Sequence, residues 1–451
     1  MMATKPEDLP LSIRTLIRNT PWRRAQAWIR IAFAMFAVGW GANQFSPMLI
    51  VYRHELDLSA AAVAGLFVIY AATLVPGLLI GGPVSDRYGR RPVVVPFVVL
   101  SPIATLLLVA GPRNLAVIAA GRALAGLCSG VVFSSATAWV QDLALAANAP
   151  GSGADPGSGA RRAALALTAG FGLGPVVAAV LAQWASDPLQ VPYLPHLVIG
   201  AIAAAVVLTA PDARSARRPA SSRPEPGKPA SSRPEPGKPA ASRRWPPAAV
   251  RSWPFWLAVA PGAPLVFGSV SIAIVVLPED VTSAKTLSAG FAGLMTALSF
   301  TAGVGIQSLA RRLAAASGLT AGLVCAAIGT GLGVAAVHGG QHTAVAAVAS
   351  VFLGAAYGMC LVCGLRQAGR LAGESDRGAV VSCYYALAYL GFAVPYLAAG
   401  LGALAGKAGA LAILTVAAAV LALWTAAYAR FTKTAPHARF TKHAGTPGTS
   451  T

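Results

Sequence analysis

Twelve stretches of about 20 apolar residues dominate this chain, near residues 31–51, 59–82, 93–111, 115–140, 162–184, 193–211, 254–277, 286–309, 315–337, 343–366, 378–401 and 408–429. A hydrocarbon core about 30 Å thick is crossed by about 20 helical residues at about 1.5 Å each. The runs are rich in Ala, Gly, Leu and Val. They lack the alternation of about ten residues, apolar outward and polar inward, that a membrane barrel needs. Lipid offers backbone groups no partner outside their own segment, so these runs must be helices. Composition agrees, with 56% hydrophobic and 11% charged residues, against roughly a quarter charged in soluble domains. The expected fold class is an all-α membrane protein with twelve transmembrane helices.

A net charge of +20 raises the question of nucleic acid. The distribution of the charge answers it. With an even number of spans both termini share one side, and 30 of the 35 Lys and Arg fall on that side. Arg53, Arg113, Lys285 and Lys407 occupy the other, and Arg122 alone falls inside a run. Such a bias predicts cytoplasmic termini in a plasma (inner) membrane, with the basic surplus facing anionic headgroups. Aromatics are not interleaved with the basic loops, so no nucleic-acid partner is expected.

The first 24 residues are mixed and basic, without the short apolar core of a cleavable signal, so the first span is expected to remain. Cys128, Cys325, Cys360, Cys363 and Cys383 all fall within runs. They suggest packing rather than a disulfide framework, and the Cys360-x-x-Cys363 pair lacks the further ligands a metal site requires. No metal and no cofactor are expected.

The one long polar stretch, 212–252, is rich in Pro, Ser, Arg and Ala, and Pro219–Lys228 recurs letter for letter as Pro229–Lys238. Such a composition cannot bury a core and predicts a disordered linker. A weaker echo repeats Ala429–Lys433 at Ala438–Lys442. The expected organisation is a cytoplasmic segment 1–30, six spans over 31–211, the linker 212–252, six spans over 253–430 and a cytoplasmic tail 431–451. Two related halves are a known plan for membrane carriers. A shift of 221 residues places Gly303 on Gly82, Gln307 on Asp86, Arg311 on Arg90 and Arg312 on Arg91.

Between the second and third runs stands Gly82-x-x-x-Asp86-Arg87-x-Gly89-Arg90-Arg91. This segment resembles the signature loop of the major facilitator superfamily. Arg122-x-x-x-Gly126-x-x-x-Gly130 in the fourth run resembles that family's Arg-and-glycine element. Gly170-Phe-Gly-Leu-Gly174-Pro175 in the fifth resembles the glycine-proline element of its drug and proton antiporters, with Ala178 and Ala179 where a closing pair of glycines would stand. The resemblance covers about residues 31–430. It implies that the acid at Asp86 helps latch two halves together on the cytoplasmic side.

The same residues have physical readings of their own. Gly82 and Gly89 suit a tight reversal where a Cβ would collide. Asp86 has Arg87, Arg90 and Arg91 within reach, or the N-terminus of the eleventh helix near Gly378. Asp142, at the end of the fourth run, could meet Arg90 or Arg91. Arg122 inside a span is costly enough to suggest function, with snorkelling to the interface as the alternative. Gly126, Gly130, Gly170 and Gly174 suggest close helix packing, and Pro175 a bend.

The family plan implies that the first, fourth, seventh and tenth spans face a central path. Trp40, Asn43 and Gln44 put an aromatic and two amides near the middle of the first, as preferred substrate contacts. Tyr385, Tyr389, Phe392 and Tyr396 share one face of an ideal eleventh helix, as a packing stripe or a mixed cavity wall; Tyr357 in the tenth is similar. No Asp or Glu lies near the middle of any run, and His338 and His342 lie outside the spans. The titratable group that proton coupling would use is thus missing from this reading.

The resemblance implies a carrier working by alternating access as a monomer. The expected activity is export of a hydrophobic or amphipathic small molecule by proton antiport, with the proton gradient as energy source. Uptake of a nutrient by symport or facilitation is the alternative, and a transporter-like receptor without flux a second. No nucleophile elbow, phosphate loop or metal cluster points to an enzyme.

Overall fold

The computed structural model describes residues 21–147, 158–212, 247–281, 288–338, 342–372 and 377–434. The linker repeat and the C-terminal echo at Ala438 lie outside them. The first six helices are α1 (Pro21–Asn43, continuing as Phe45–Glu55), α2 (Ala60–Tyr88), α3 (Arg90–Ala110), α4 (Leu115–Ala147), α5 (Ser158–Trp184) and α6 (Leu194–Leu208). The seventh, α7, is assembled from Trp253–Ala258, Pro264–Ser271, the π turn Ile272–Val276 and Leu277–Val281. Pro261 and Pro264 remove two donors from its ladder, and short turns bridge the gap. Then follow α8 (Ser288–Arg312), α9 (Ala315–Val337) and α10 (Thr343–Leu371). In α11, Arg377–Tyr389 passes through the 3₁₀ turn Leu390–Ala393 into the helix Val394–Thr434, which Gly406 divides; α12 is the part beyond Gly406.

Ten helices among the described residues are long and apolar enough to cross a membrane. The last of these stretches covers 52 residues, about 78 Å of helix against a core of about 30 Å. Gly406, at φ 75° and ψ 165°, breaks it into two passes. The first pass is interrupted near Gln44, because Pro47 cannot donate to the Asn43 carbonyl. Gln44 nonetheless keeps helical geometry, its N–H donating to the Trp40 carbonyl at 2.9 Å. With this kinked helix added and the divided one counted twice, the described residues hold twelve helical stretches where the apolar runs lie.

The Gly81–Arg91 segment is more helical than a turn. Here α2 runs through Asp86 and Arg87 to Tyr88, and Gly89 alone, at φ 108°, makes the reversal into α3. A Cβ on Gly82 would meet nothing within 4 Å, so the collision expected there is absent. It is Gly81 that packs closely, a Cβ on it lying 2.9 Å from the Val131 Cα.

Glycine contacts show how the halves repeat. A Cβ on Gly126 or Gly130 of α4 would fall onto the carbonyls of Tyr70 or Leu74 in α2. In the other half Gly354 and Gly358 of α10 meet the carbonyls of Ser299 and Gly303 in α8 in the same way. Ser135 Oγ donates to the Gly81 carbonyl at 2.8 Å, and Cys363 Sγ to the Ala310 carbonyl at 3.5 Å. These equivalences set α2 on α8 by 229 residues and α4 on α10 by 228. The shift of 221 belongs to another pair: Gly170 of α5 against Phe36 of α1 answers to Gly391 of α11 against Pro264 of α7. Gly303 is therefore the counterpart of Leu74, and Gln307 does not correspond to Asp86. The cysteines are free, as packing implies; a Cβ on Gly322 of α9 would lie 2.8 Å from the Cys360 sulfur.

Candidate functional site

Between α1, α2, α4 and α6 the bundle buries a polar cluster centred on Arg122, which is 0% exposed. The snorkelling alternative therefore fails. Its Nη1 donates to the Ala42 carbonyl at 3.2 Å, and its Cζ stands 4.2 Å from the Phe45 ring centre and 4.4 Å from that of Tyr70. Nε and Nη2 have no partner. Guanidinium keeps its proton in proteins, so this is a fixed positive charge held by π contacts and one carbonyl. Nearby, the hydroxyls of Tyr52 and Tyr193 share a hydrogen bond of 2.9 Å.

The three residues expected to touch substrate from α1 have diverged in role. Asn43 Nδ2 donates to the Phe171 carbonyl at 2.8 Å, and Ser46 Oγ donates to Asn43 Oδ1 at 2.8 Å. Asn43 thus ties α1 to α5 with both ends of its amide engaged. Gln44 Nε2 donates to Thr105 Oγ1 at 3.2 Å while its Oε1 is unpartnered, as is Trp40 Nε1. Thr105 in turn bonds His196 Nδ1 at 2.7 Å, and His196 Nε2 has no partner. His196 is the one histidine among six within an apolar run, and that isolation is its signal in the sequence.

The middle of the bundle is filled by rings from both halves. Phe267 of α7 is their hub, 4.5 Å from Tyr389, 4.9 Å from Phe392, 6.0 Å from Tyr357 and 6.2 Å from Phe171. Phe392 also meets Phe67 at 5.1 Å and Tyr70 at 5.9 Å. Tyr357 and Tyr389 therefore join as expected, and Tyr385 touches Tyr389 at 6.5 Å. Tyr396 does not, being 50% exposed. The intervening 3₁₀ turn winds about 3.0 residues per turn and rotates Tyr396 off the face that an ideal helix would give it. Phe267 carries no sequence signal of its own, since an isolated Phe in an apolar run is ordinary.

At the end of α2, Arg90 gathers the charges. Its Nη2 lies 2.6 Å from Asp86 Oδ1, its Nε 3.3 Å from Asp142 Oδ2, and its Nη1 donates to Ser85 Oγ at 2.6 Å. The expected meeting of Asp142 with Arg90 is present. Arg91 donates to the Leu208 carbonyl at 2.7 Å, and Arg87 stands over the Tyr88 ring. These contacts lie within the N-terminal half.

Contacts between the halves run from the ring cluster to the opposite face. There Arg53 pairs with Glu279, and Gln183 Oε1 accepts the Gly290 N–H at 3.0 Å. A Cβ on Gly293 would lie 2.6 Å from Ala179, one of two alanines standing where the antiporter element has glycine. A cavity of about 280 Å³ beside the ion pair is lined by Arg53, Val276, Glu279, Pro395 and Lys407. Gly170 and Gly174 receive α1, a Cβ on Gly174 lying 2.7 Å from the Trp40 carbonyl. Pro175 removes the N–H that would satisfy the Phe171 carbonyl, and α5 continues through it.

The profile described as Major Facilitator Superfamily matches residues 31–270, more than half of the chain. Inner membrane transport protein YnfM of Escherichia coli (strain K12) is 35% identical over 94 residues, covering 20% of this chain and 21% of that protein. The match thus spans about a fifth of that relative's length. Among solved structures, a POT family transporter in complex with a thioalcohol-conjugated peptide aligns with TM-score 0.70 and 13% identity, covering 90% of this chain and 96% of the other. Nucleoside transporter NupG aligns with TM-score 0.61 and 11% identity, covering 90% and 98%. A bacterial homologue of the human lysosomal transporter Spinster, inward-facing and occupied, aligns with TM-score 0.62 and 13% identity, covering 91% and 98%. At such identities the likeness is one of fold. With this profile and this helical bundle, the chain is a multi-pass membrane protein that belongs to the Major Facilitator Superfamily.

Proposed function

We propose that the protein exports an amphipathic small organic molecule by proton antiport, through alternating access around the ring cluster at Phe267. The observation that carries this reading is the seam of rings from both halves, Phe67, Tyr70, Phe171, Phe267, Tyr357, Tyr389 and Phe392, where a rocking motion would open a largely apolar path. With both termini cytoplasmic, as the charge bias predicts, the Arg53–Glu279 face is external. His196 supplies the interior titratable group that coupling uses, since a histidine can exchange a proton near neutral pH when its surroundings change. The energy source is then the proton gradient across an inner membrane.

The test is flux in liposomes containing the purified protein, with a panel of hydrophobic compounds and an imposed pH gradient. Antiport predicts accumulation driven by the gradient and lost in His196→Gln, while gradient-independent equilibration in the unmodified protein overturns it. Uptake by symport is the second reading, favoured by the same interior histidine, which couples either direction. Substrate and proton moving in the same direction would select it.

A further inference from the structure

We propose that Arg122 is the docking point for a carboxylate on the transported molecule, so that the substrate class is a monoanionic amphipath rather than a neutral one. This rests on the reading that a small molecule binds between the halves. The geometry is specific. Nη1, on one edge of the guanidinium, is occupied by the Ala42 carbonyl at 3.2 Å. The two unpartnered atoms, Nε and Nη2, form the other edge. That edge presents two parallel N–H groups at the spacing of a carboxylate's oxygens, the side-on fork of bidentate arginine recognition. A buried structural arginine ordinarily spends those donors on carbonyls or an acid, because a buried donor without a partner costs free energy.

No acidic side chain pairs with Arg122 among the described residues; the ion pairs there are Arg53–Glu279, Arg90–Asp86 and Arg90–Asp142. The apolar runs likewise hold no Asp or Glu near their middles. A fixed charge at 0% exposure therefore has no internal counter-ion, and a ligand carboxylate would supply one. The surroundings suit such a ligand. Phe45 and Tyr70 line the guanidinium, and Tyr70 touches Phe392 of the other half at 5.9 Å. The charge thus stands one ring from the seam, with aromatic surface for an apolar body. A carboxylate drawn to Arg122 would part Tyr70 from Phe392, linking substrate binding to separation of the halves.

The experiment measures ligand-dependent thermal stability of the purified full-length protein in detergent. The probes are 2-naphthoate, its neutral amide, and straight-chain monocarboxylates from acetate to hexanoate. At about 100-fold excess over half-saturation, a carboxylate is expected to raise the unfolding midpoint by about 3–5 °C, and the amide not at all. Arg122→Gln should abolish the shift and leave the ligand-free protein as stable as before or more so, since an uncompensated buried charge is gone. Arg122→Lys keeps the charge without the fork and should weaken binding at least about 10-fold. The proposal is overturned by equal shifts from naphthoate and its amide, by no shift from any carboxylate, or by Arg122→Gln destabilising the free protein while the response persists. Binding without flux would instead remove the transport reading and leave the subsite standing.

Discussion

Asn43 donates its side-chain N–H to the carbonyl of Phe171 at 2.8 Å, the carbonyl that Pro175 four residues later deprives of its helical partner. A sequence element that looks like a hinge is thus braced by the neighbouring helix. Asn43→Leu leaves that carbonyl buried and unsatisfied, at a cost of about 1–3 kcal/mol. In a Pro175→Ala background the backbone N–H returns, and the same substitution should cost less. Thermal unfolding of the four proteins in a double-mutant cycle measures the coupling; simple additivity would mean the bond bears no load.

Gly126 and Gly82 resemble the same family's motifs, yet they face opposite circumstances. A Cβ on Gly126 collides with the Tyr70 carbonyl, and backbone cannot yield as a flexible side chain can, so Gly126→Val should force α4 from α2 and abolish folded protein. Gly82 sits inside a helix with open space before it. Gly82→Ala should leave stability unchanged or raise it by about 0.5–1 kcal/mol. The check is monodisperse yield and unfolding midpoint. If Gly82→Ala is well folded but fails to transport, the close approach of Gly82 belongs to another state of the cycle.

The fold was legible because lipid leaves few choices: length and hydropathy forced helices. The glycines of α4 and α5 were legible for a related reason, as close helix approach excludes a Cβ. The repeat register was not. It depends on which backbone each glycine meets, and a match in letters near Gly303 sat eight residues from the true equivalence. Nor could spacing show that Asn43 serves a proline, that a 3₁₀ turn removes Tyr396 from its stripe, or that Phe267 is a hub. Those facts arise from contacts between helices far apart in the chain. His196 is different, because a lone histidine in an apolar run is visible in the sequence.

At the end of α2 the weight shifts from Asp86 to Arg90. The Asp86 side chain is 66% exposed, whereas Arg90 is 16% exposed and bonds Ser85, Asp86 and Asp142 together. An exposed ion pair is worth about 0–1 kcal/mol, so Asp86→Asn should barely alter stability. Arg90→Gln removes the guanidinium from Asp142, itself only 15% exposed, and should cost about 1–3 kcal/mol. Unfolding of both variants by heat ranks them. Transport lost in Asp86→Asn without a stability change would assign Asp86 to a latch made in a different conformation, as the family resemblance implies.

The Arg53–Glu279 pair joins the two halves on the face away from Gly89, so it can only bias states in which that face is closed. Its side chains are 33% and 22% exposed, which places its worth at about 0.2–1 kcal/mol. A latch shifts a conformational equilibrium by its differential free energy. Arg53→Gln or Glu279→Gln should therefore raise the population open on this face by up to about fivefold, and the double substitution should raise it no further. The exchange Arg53→Glu with Glu279→Arg should restore the original distribution. Labelling rates of a cysteine placed at Val276, in the cavity beside the pair, report the opening directly. Equal rates in all variants would show that the rings at Phe67 and Phe392 close this face unaided.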